Sequence, residues 1–470
     1  MKKAIFLLIS LSGLSSCSDF LTTEPVEKIS INEQLSTKKG VLESLNGAYY
    51  QLRTTYFSEG NFVYGDLLSG NLKFTPQNSG ATTQDSSVSL IYNFEDQSTD
   101  SDLSYFYSNN YQIINNINLI LQYTDDLQDA TANEKSEIKA EALALRAFVH
   151  FQLYKYYAQN YTFTPDASHL GIAYITAPQK PGVDYPVRKT VSEVFVLLEN
   201  DLQQSLSLFQ PNQAIPAGQK KNFMNIDAAK LLRAEISLWK NDWQKAYDYA
   251  NDLINTTSLI LTPPTAVSTQ WALSESVFEI ANDANNEFPA GPIYNFVTST
   301  SKSSYNASND VYNLFSSNDN RKTLLETQNL KTGTATNSPK LPYHFTKKYK
   351  LETGSLIYRL SLAYFIRAEA ALHLGNSQQA LSDINIMRNR AGLSSISTIN
   401  IDILLEEKRK EFVFENQYFF DLMRNHKNII RNNGCISTNC SPIYPNDKFI
   451  LPIPQSTINI NSAMQQNPGY

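Results

Sequence analysis

NIDAAKLLRAEISLWKNDWQKAYDYANDLINT, residues 225–256, is the stretch whose reading decides the fold. Alanine and leucine recur every three to four positions on both sides of Asn241-Asp242, which is the period of a helix and not of a strand. Asp227 reads as an N-cap and Asn241-Asp242 as a turn, so the stretch predicts two helices in a hairpin. A second stretch, IYRLSLAYFIRAEAALHLGNSQQALSDINIMRNRA at 357–391, aligns with it without a gap at an offset of 134. Ala234 matches Ala368, Glu235 matches Glu369, Leu238 matches Leu372, Asn241-Asp242 matches Gly375-Asn376 and Ala246 matches Ala380. Small alanines at a crossing let helices approach closely, and the turn residues tolerate left-handed backbone geometry.

The pattern resembles a tetratricopeptide unit. The two units are not in tandem: residues 257–356 between them are loop-rich and aromatic and read as an insertion carrying function. Working outward, helices are expected at about 37–53, 101–123, 132–159 and 190–209. In the third of these, Ile138, Ala142, Leu145, Val149 and Leu153 form an apolar stripe. Residues 54–100, rich in Ser, Thr, Asn, Asp and Gly, read as long loops with a short strand. One charged, aromatic helix is expected over 401–424, and irregular chain from Pro442 onward. The fold class is therefore mainly α: helical hairpins as scaffold, with long irregular loops. Gly, at 17 of 470 residues, is about half its usual share of roughly 7%, which disfavours a turn-rich all-β fold.

The N-terminus has the anatomy of a signal peptide, residues 1–16. Lys2 and Lys3 precede an apolar run, Ala4 to Leu14, that is too short to span a bilayer. The run ends in Leu14-Ser15-Ser16-Cys17, which resembles a bacterial lipobox. Cys17 is then the lipidated first residue of the mature chain and residues 17–36 its polar tether. Multiple acyl chains on one Cys anchor a protein stably. Removing Lys2 and Lys3 takes the net charge from −6 to −8, too acidic for a nucleic-acid partner, which calls for a basic face. Cys435 and Cys440 in CISTNC are the other two cysteines; in an oxidising compartment they pair, and the alternative is two free thiols. No His or third Cys stands near them at ligand spacing, so no metal is expected there.

Taken together, these segments resemble the SusD/RagB family of surface nutrient-binding lipoproteins, partners of SusC-like TonB-dependent transporters. The resemblance rests on the lipobox followed by SDFL and Pro25, on RAFVHFQLYKYY at 146–157 and on VRKTVSEVF at 187–195. It continues through both hairpins, EEKRKEFVFENQYFFDLMR at 406–424, and FILPIPQSTININ with the terminal QQNPGY. The family often has Gly where Asn416 stands, Arg where Tyr418 stands and Glu where Thr457 stands. Asn is the next best residue for a left-handed position, while loss of the Arg puts a local charge pairing in question. The resemblance implies one intertwined unit, with an N-terminal region over 37–220 and a C-terminal region over 221–470. It implies ligand held by the loops, a helical side docked on the transporter, and a cell-surface place on the outer membrane. Oligosaccharide and peptide ligands both occur in the family; the glycan is preferred on the family alone.

Glu407, Glu411 and Glu415 share a helix face, but glycoside hydrolysis needs two carboxyls flanking one bond, usually from different elements. With Arg409 and Arg424 nearby, structural ion pairs are expected instead of a lipid-anchored glycoside hydrolase. The five His residues (150, 169, 344, 373, 426) stand apart, in no metalloprotease or triad pattern, and Arg146 with His150 reads as packing. No catalytic residue, cofactor or metal is expected. Sugar rings lie on flat aromatic faces while amide and charged groups meet their hydroxyls. Two stretches have that mixture: Phe62 to Phe74, with Tyr64, Asp66, Asn71, Lys73 and Phe74, and Trp271 to Tyr305, with Trp271, Glu287, Phe288, Tyr294, Asn295 and Phe296. Trp239 and Trp243 flank a helical turn and read as core.

Overall fold

Both hairpins end where their sequences place the turn. In the computed structural model, which describes residues 30–78, 80–210, 219–263, 266, 274–281, 290–351 and 354–470, the long helices are α1 Lys38–Tyr56, α2 Glu59–Leu68, α3 Ser104–Thr124, α4 Ala132–Tyr157 and α5 Val191–Leu208. They continue as α6 Ile226–Trp239, α7 Trp243–Thr256, α8 Leu360–His373, α9 Ser377–Arg390, α10 Ile401–Phe412 and α11 Tyr418–Arg424. The bounds of α8 and α9 are those of α6 and α7 moved by the same offset of 134. Asn241 and Gly375 occupy the same left-handed position, with φ of 60° and 79°. The next residues, Asp242 and Asn376, cap the following helices through the N–H groups of Lys245 and Gln379. Ala234, Ala246, Ala368 and Ala380 are fully buried at the crossings. The start of α6 is a correction: Asn225, not Asp227, is the N-cap, accepting from the N–H groups of Asp227 and Ala228.

The insertion does not separate the repeats in space. Helix α7 packs along α8, and Arg367 Nη1 donates to Asn251 Oδ1 at 2.8 Å across that seam. The same chain of neighbours runs through the scaffold: α1 on α3, α3 on α4, α4 on α5, α5 on α6, and α8 on α9. Capping boxes start two of these helices, Thr131 with Glu134 and Thr190 with Glu193; each satisfies two backbone donors that the first helical turn leaves free. Arg146 and His150 are structural: Arg146 clamps Asp201 at 2.6 and 2.8 Å, and His150 Nε2 accepts from Ile175 N–H. Trp239 is buried, and Trp243 stacks on His373 at 3.8 Å.

Three expectations need correction. Residues 54–100 are not all loop, because Asn61 to Leu68 of α2 are buried on every side, and a helix buried all round shows no polar face to betray its period. The helix expected over 401–424 is two helices, α10 and α11, broken where Phe414 and Asn416 take φ of 70° and 57°. The stretch after Pro442 carries a short helix, Gln455–Ile460.

The insertion is built on strands. Its base is an antiparallel pair, β2 Ser276–Ala281 with β6 Gly354–Arg359. Strands β3 Tyr305–Ala307, β4 Leu325–Lys331 and β5 Lys340–Thr346 join β1 Leu72–Phe74, from the segment after α2, in one sheet of order β1-β3-β5-β4. Leu72 pairs Ala307 and Ala307 pairs His344. The two stretches singled out for ligand binding thus meet in a single sheet.

Candidate ligand-binding site

Most side chains expected to face ligand instead fasten the loop layer to the helices. Tyr64, Asp66, Asn71, Phe74 and Tyr294 are each at most 2% exposed. Tyr64 packs on Tyr156 and Phe419, with centroids 4.8 and 5.5 Å away, Phe74 meets Tyr92 edge to face, and Tyr294 stacks on Tyr349. Asp66 accepts from Asn71 Nδ2 and from Asn416 N–H, and burial pushes its carboxyl up to about 6. Asn71 Oδ1 in turn accepts from Arg409 Nε at 2.6 Å. The physical reason is the buried helix α2, which turns this aromatic segment inward. Asn295 and Phe296 are half-buried. Trp271, Glu287, Phe288 and the lipidation residue Cys17 lie outside the described residues.

Lys73 remains at the surface, half-buried. Its ammonium lies 4.9 Å from the centre of the Tyr343 ring and 3.4 Å from Asn309 Oδ1. Beside it Tyr312 stacks on His344 at 3.4 Å, His344 Nδ1 meets Thr327 Oγ1 at 2.9 Å, and Lys322 lies 4.6 Å from the Tyr312 ring centre. A disulfide joins Cys435 and Cys440 and closes the loop that borders this patch. Ile436 N–H donates to Tyr92 Oη, and Gln84 Nε2 donates to Ile436 O. Gly434, at φ 93°, lies so close that a Cβ would stand 2.8 Å from Lys73 Cδ. Rings, amides and an ammonium on one rim form the kind of surface that suits a polyhydroxylated ligand. Sequence reasoning did not find Tyr312, Lys322, Tyr343 or His344. For Tyr343 and His344 the signal available was the alternation of Leu341, Tyr343 and Phe345 in KLPYHFT, which marks a strand; Tyr312 and Lys322 carry no such signal.

The three glutamates on α10 and just beyond are committed to ion pairs, though not with the arginines expected. Arg359, 1% exposed, donates to Glu411 at 2.6 Å, Glu415 at 2.9 Å and Glu275 at 3.2 Å. Arg321 reaches Glu407 at 3.1 Å and Glu411 at 3.3 Å, Arg390 pairs with Glu275 and Glu411, and Lys348 meets Glu415 at 2.6 Å. These cations hold the Glu411 carboxyl well below the usual carboxylate range, against a burial effect in the other direction. Arg409 lies over the Tyr418 ring, and Arg424 pairs with Glu369 and Asp421.

A separate concavity, about 500 Å³, lies between α3, the 173–186 segment and the 457–464 segment. Tyr111 Oη donates to Ala173 O, Asn115 Oδ1 accepts from Gln179 N–H, and Asn461 Nδ2 donates to Pro186 O. With those groups engaged internally, its wall is mainly apolar, unlike the rim around Lys73.

Known proteins resemble this chain along nearly its whole length. A model described as "SusD family" matches residues 297–470, and one described as "Starch-binding associating with outer membrane" matches residues 20–220. The solved SusD superfamily protein of Bacteroides thetaiotaomicron is 25% identical, with a TM-score of 0.80 over 92% of this chain and 100% of its own. The chain belongs to the SusD/RagB family. The starch-binding protein SusD of Bacteroides thetaiotaomicron is 34% identical over 125 residues, which span 25% of this chain and only 22% of that protein. The surface glycan-binding protein A of Bacteroides uniformis, at 19% identity and a TM-score of 0.73 over 92% of this chain and 99% of its own, shares the fold.

Two departures from the SusD/RagB pattern now have physical accounts. Asn416 takes the left-handed conformation that Gly adopts freely, and its side chain adds bonds: Oδ1 accepts from Gly65 N–H while Nδ2 donates to Asn61 O and Tyr156 Oη. Tyr418, where the family often has Arg, supplies a ring 4.5 Å from the Arg409 guanidinium, so a cation–π contact stands in that place. Thr457 lines the apolar concavity.

Proposed function

We propose that this SusD/RagB protein is a lipid-anchored outer-membrane surface protein that binds an oligosaccharide on its loop layer and delivers it, as a lid, to a SusC-like TonB-dependent transporter. The observation that carries the reading is the family match over both halves of the chain. The rim of Lys73, Asn309, Tyr312 and Tyr343 supports the place of binding. Cys17 supports the anchor, and no helix among the described residues is long and apolar enough to cross a membrane. Residues 30–36, read from sequence as the end of the polar tether 17–36, belong instead to the folded body, where Ser30 caps the short helix Ile31–Gln34 and Leu35 is buried; residues 17–29 lie outside the described residues. The test is titration calorimetry of the purified protein against neutral, uronate-bearing and sulfated oligosaccharides and against mixed peptides, with product analysis after long incubation. Binding of a saccharide with no product is the expected result. Binding of peptides alone would move the ligand to the peptide class, and turnover would replace the reading with that of a hydrolase.

A further inference from the structure

The lysines of the loop layer are unlike many of those on the helical scaffold. On the scaffold, Lys139, Lys230 and Lys408 each meet a carboxylate within 3 Å. Around the sheet, Lys73, Lys302 and Lys322 bond only to amide or carbonyl oxygens: Lys73 to Asn309 at 3.4 Å, Lys302 to Asn78 and Ser299 at 2.9 and 3.0 Å, and Lys322 to Phe315 at 3.3 Å. None of the three has an ion pair among the described residues, in a chain where acidic residues outnumber basic ones by 45 to 39.

Acidic residues near these lysines in sequence are engaged elsewhere: Asp66 is buried, Asp319 is held by Arg321, and Asp310 serves the 432–433 segment. Asp310 accepts from the N–H groups of Asn432 and Asn433 at 2.8 and 3.0 Å and from the Asn433 amide. His344 reports the resulting field: burial, then Lys73, then Lys322 press its imidazole down to about 4, so it stays neutral and presents no competing charge. Lys73 is also partly desolvated, which lowers its own pKa. A half-buried ammonium that has lost water and gained no counter-ion interacts more strongly with an arriving anion than a freely hydrated one.

We infer that the ligand of this rim is an acidic saccharide, with Lys73 meeting a uronate carboxylate or a sulfate ester and Lys322 adding to the field. The sugar ring meets the half-buried Tyr312, with Tyr343 buried beneath Lys73 as support, and Asn309 takes a hydroxyl. The inference rests on the saccharide-binding reading and narrows it to one charge class.

The test is calorimetry with three probes of similar length: a galacturonic acid oligosaccharide, a chondroitin sulfate oligosaccharide and a neutral maltooligosaccharide. Lys73→Met keeps the aliphatic stem beneath Gly434 and removes the charge; Lys73→Arg keeps the charge. The parent protein is expected to bind one of the acidic probes and to weaken steeply from about 0.05 to 0.5 M salt. Lys73→Met should lose about tenfold or more, the worth of one charge-assisted hydrogen bond, with Lys322→Met losing less and Lys73→Arg retaining most of the affinity. Preference for the neutral probe, with no salt dependence and no effect of Lys73→Met, would overturn the acidic class and leave saccharide binding intact. Binding to none of the three probes, with peptide binding instead, would overturn both readings.

Discussion

Replacing Arg359 by Met is expected to destabilise the protein by about 3–5 kcal/mol, because removing one partner strands buried charges of the opposite sign. Arg359 is the hub of the cluster: it serves Glu275, Glu411 and Glu415 through one guanidinium, donates to the Glu411 carbonyl at 2.9 Å and bonds Ser361 Oγ at 2.7 Å. Arg359 also ends β6 and immediately precedes α8, so the cluster ties the base of the insertion to the second hairpin. Arg359→Lys keeps one charge but not the fork, and should fall between parent and Met. The pH dependence has a definite sign. Because the cations depress the Glu411 carboxyl, its stabilisation is fully present above the unfolded-state value near 4.5 and is lost as pH falls through the lower folded-state value. Denaturant melts at pH 7 and at pH 3 measure both effects. A loss below about 1 kcal/mol at pH 7 would mean that the cluster is no better than a set of surface pairs.

Asn416→Ala should cost about 2–4 kcal/mol. The substitution removes three buried side-chain hydrogen bonds, each worth about 0.5–1.5 kcal/mol net, and puts a Cβ residue into left-handed backbone without the local compensation Asn provides. Two of those bonds cross from the α10–α11 break to α2, at Gly65 and Asn61, and the third reaches Tyr156 of α4. Gly65 makes the close approach possible: a Cβ there would stand 2.7 Å from Asn416 Oδ1. Asn416→Gly should lose the bonds but not the backbone conformation, and melt about 1 kcal/mol above the Ala variant. Equal stability of the Ala and Gly variants would show that the backbone conformation carries no cost.

The scaffold was legible because its signals are local. The turn pairs Asn241-Asp242 and Gly375-Asn376 and the crossing alanines each declare themselves within a few residues. The loop layer was less legible because its order is set by distant partners. Helix α2 has no polar face, so EGNFVYGDLL reads in sequence as aromatic loop, and Tyr64, Asp66 and Asn71 read as ligand groups. Their partners, Phe419, Asn416 and Arg409, lie more than 300 residues away, where sequence gives no pairing signal. Strand β1 is three residues long and pairs with β3 more than 200 residues on. Lys73, a candidate ligand group in the sequence, is half-buried at the surface, but its neighbours Tyr312 and Tyr343 emerge only when the sheet order brings β1 and β5 to either side of β3. In α10 the acidic spacing pointed to ion pairing, while the choice of Arg321, Arg359 and Arg390 over Arg409 and Arg424 depended on the fold.

The lid role is tested most directly by solubilising outer membranes in mild detergent from cells growing on the nutrient and capturing this chain by an affinity tag. The account predicts that a large β-barrel protein comes with it in near-stoichiometric amount. Clean recovery of this chain alone, from membranes that contain such a barrel, would contradict it.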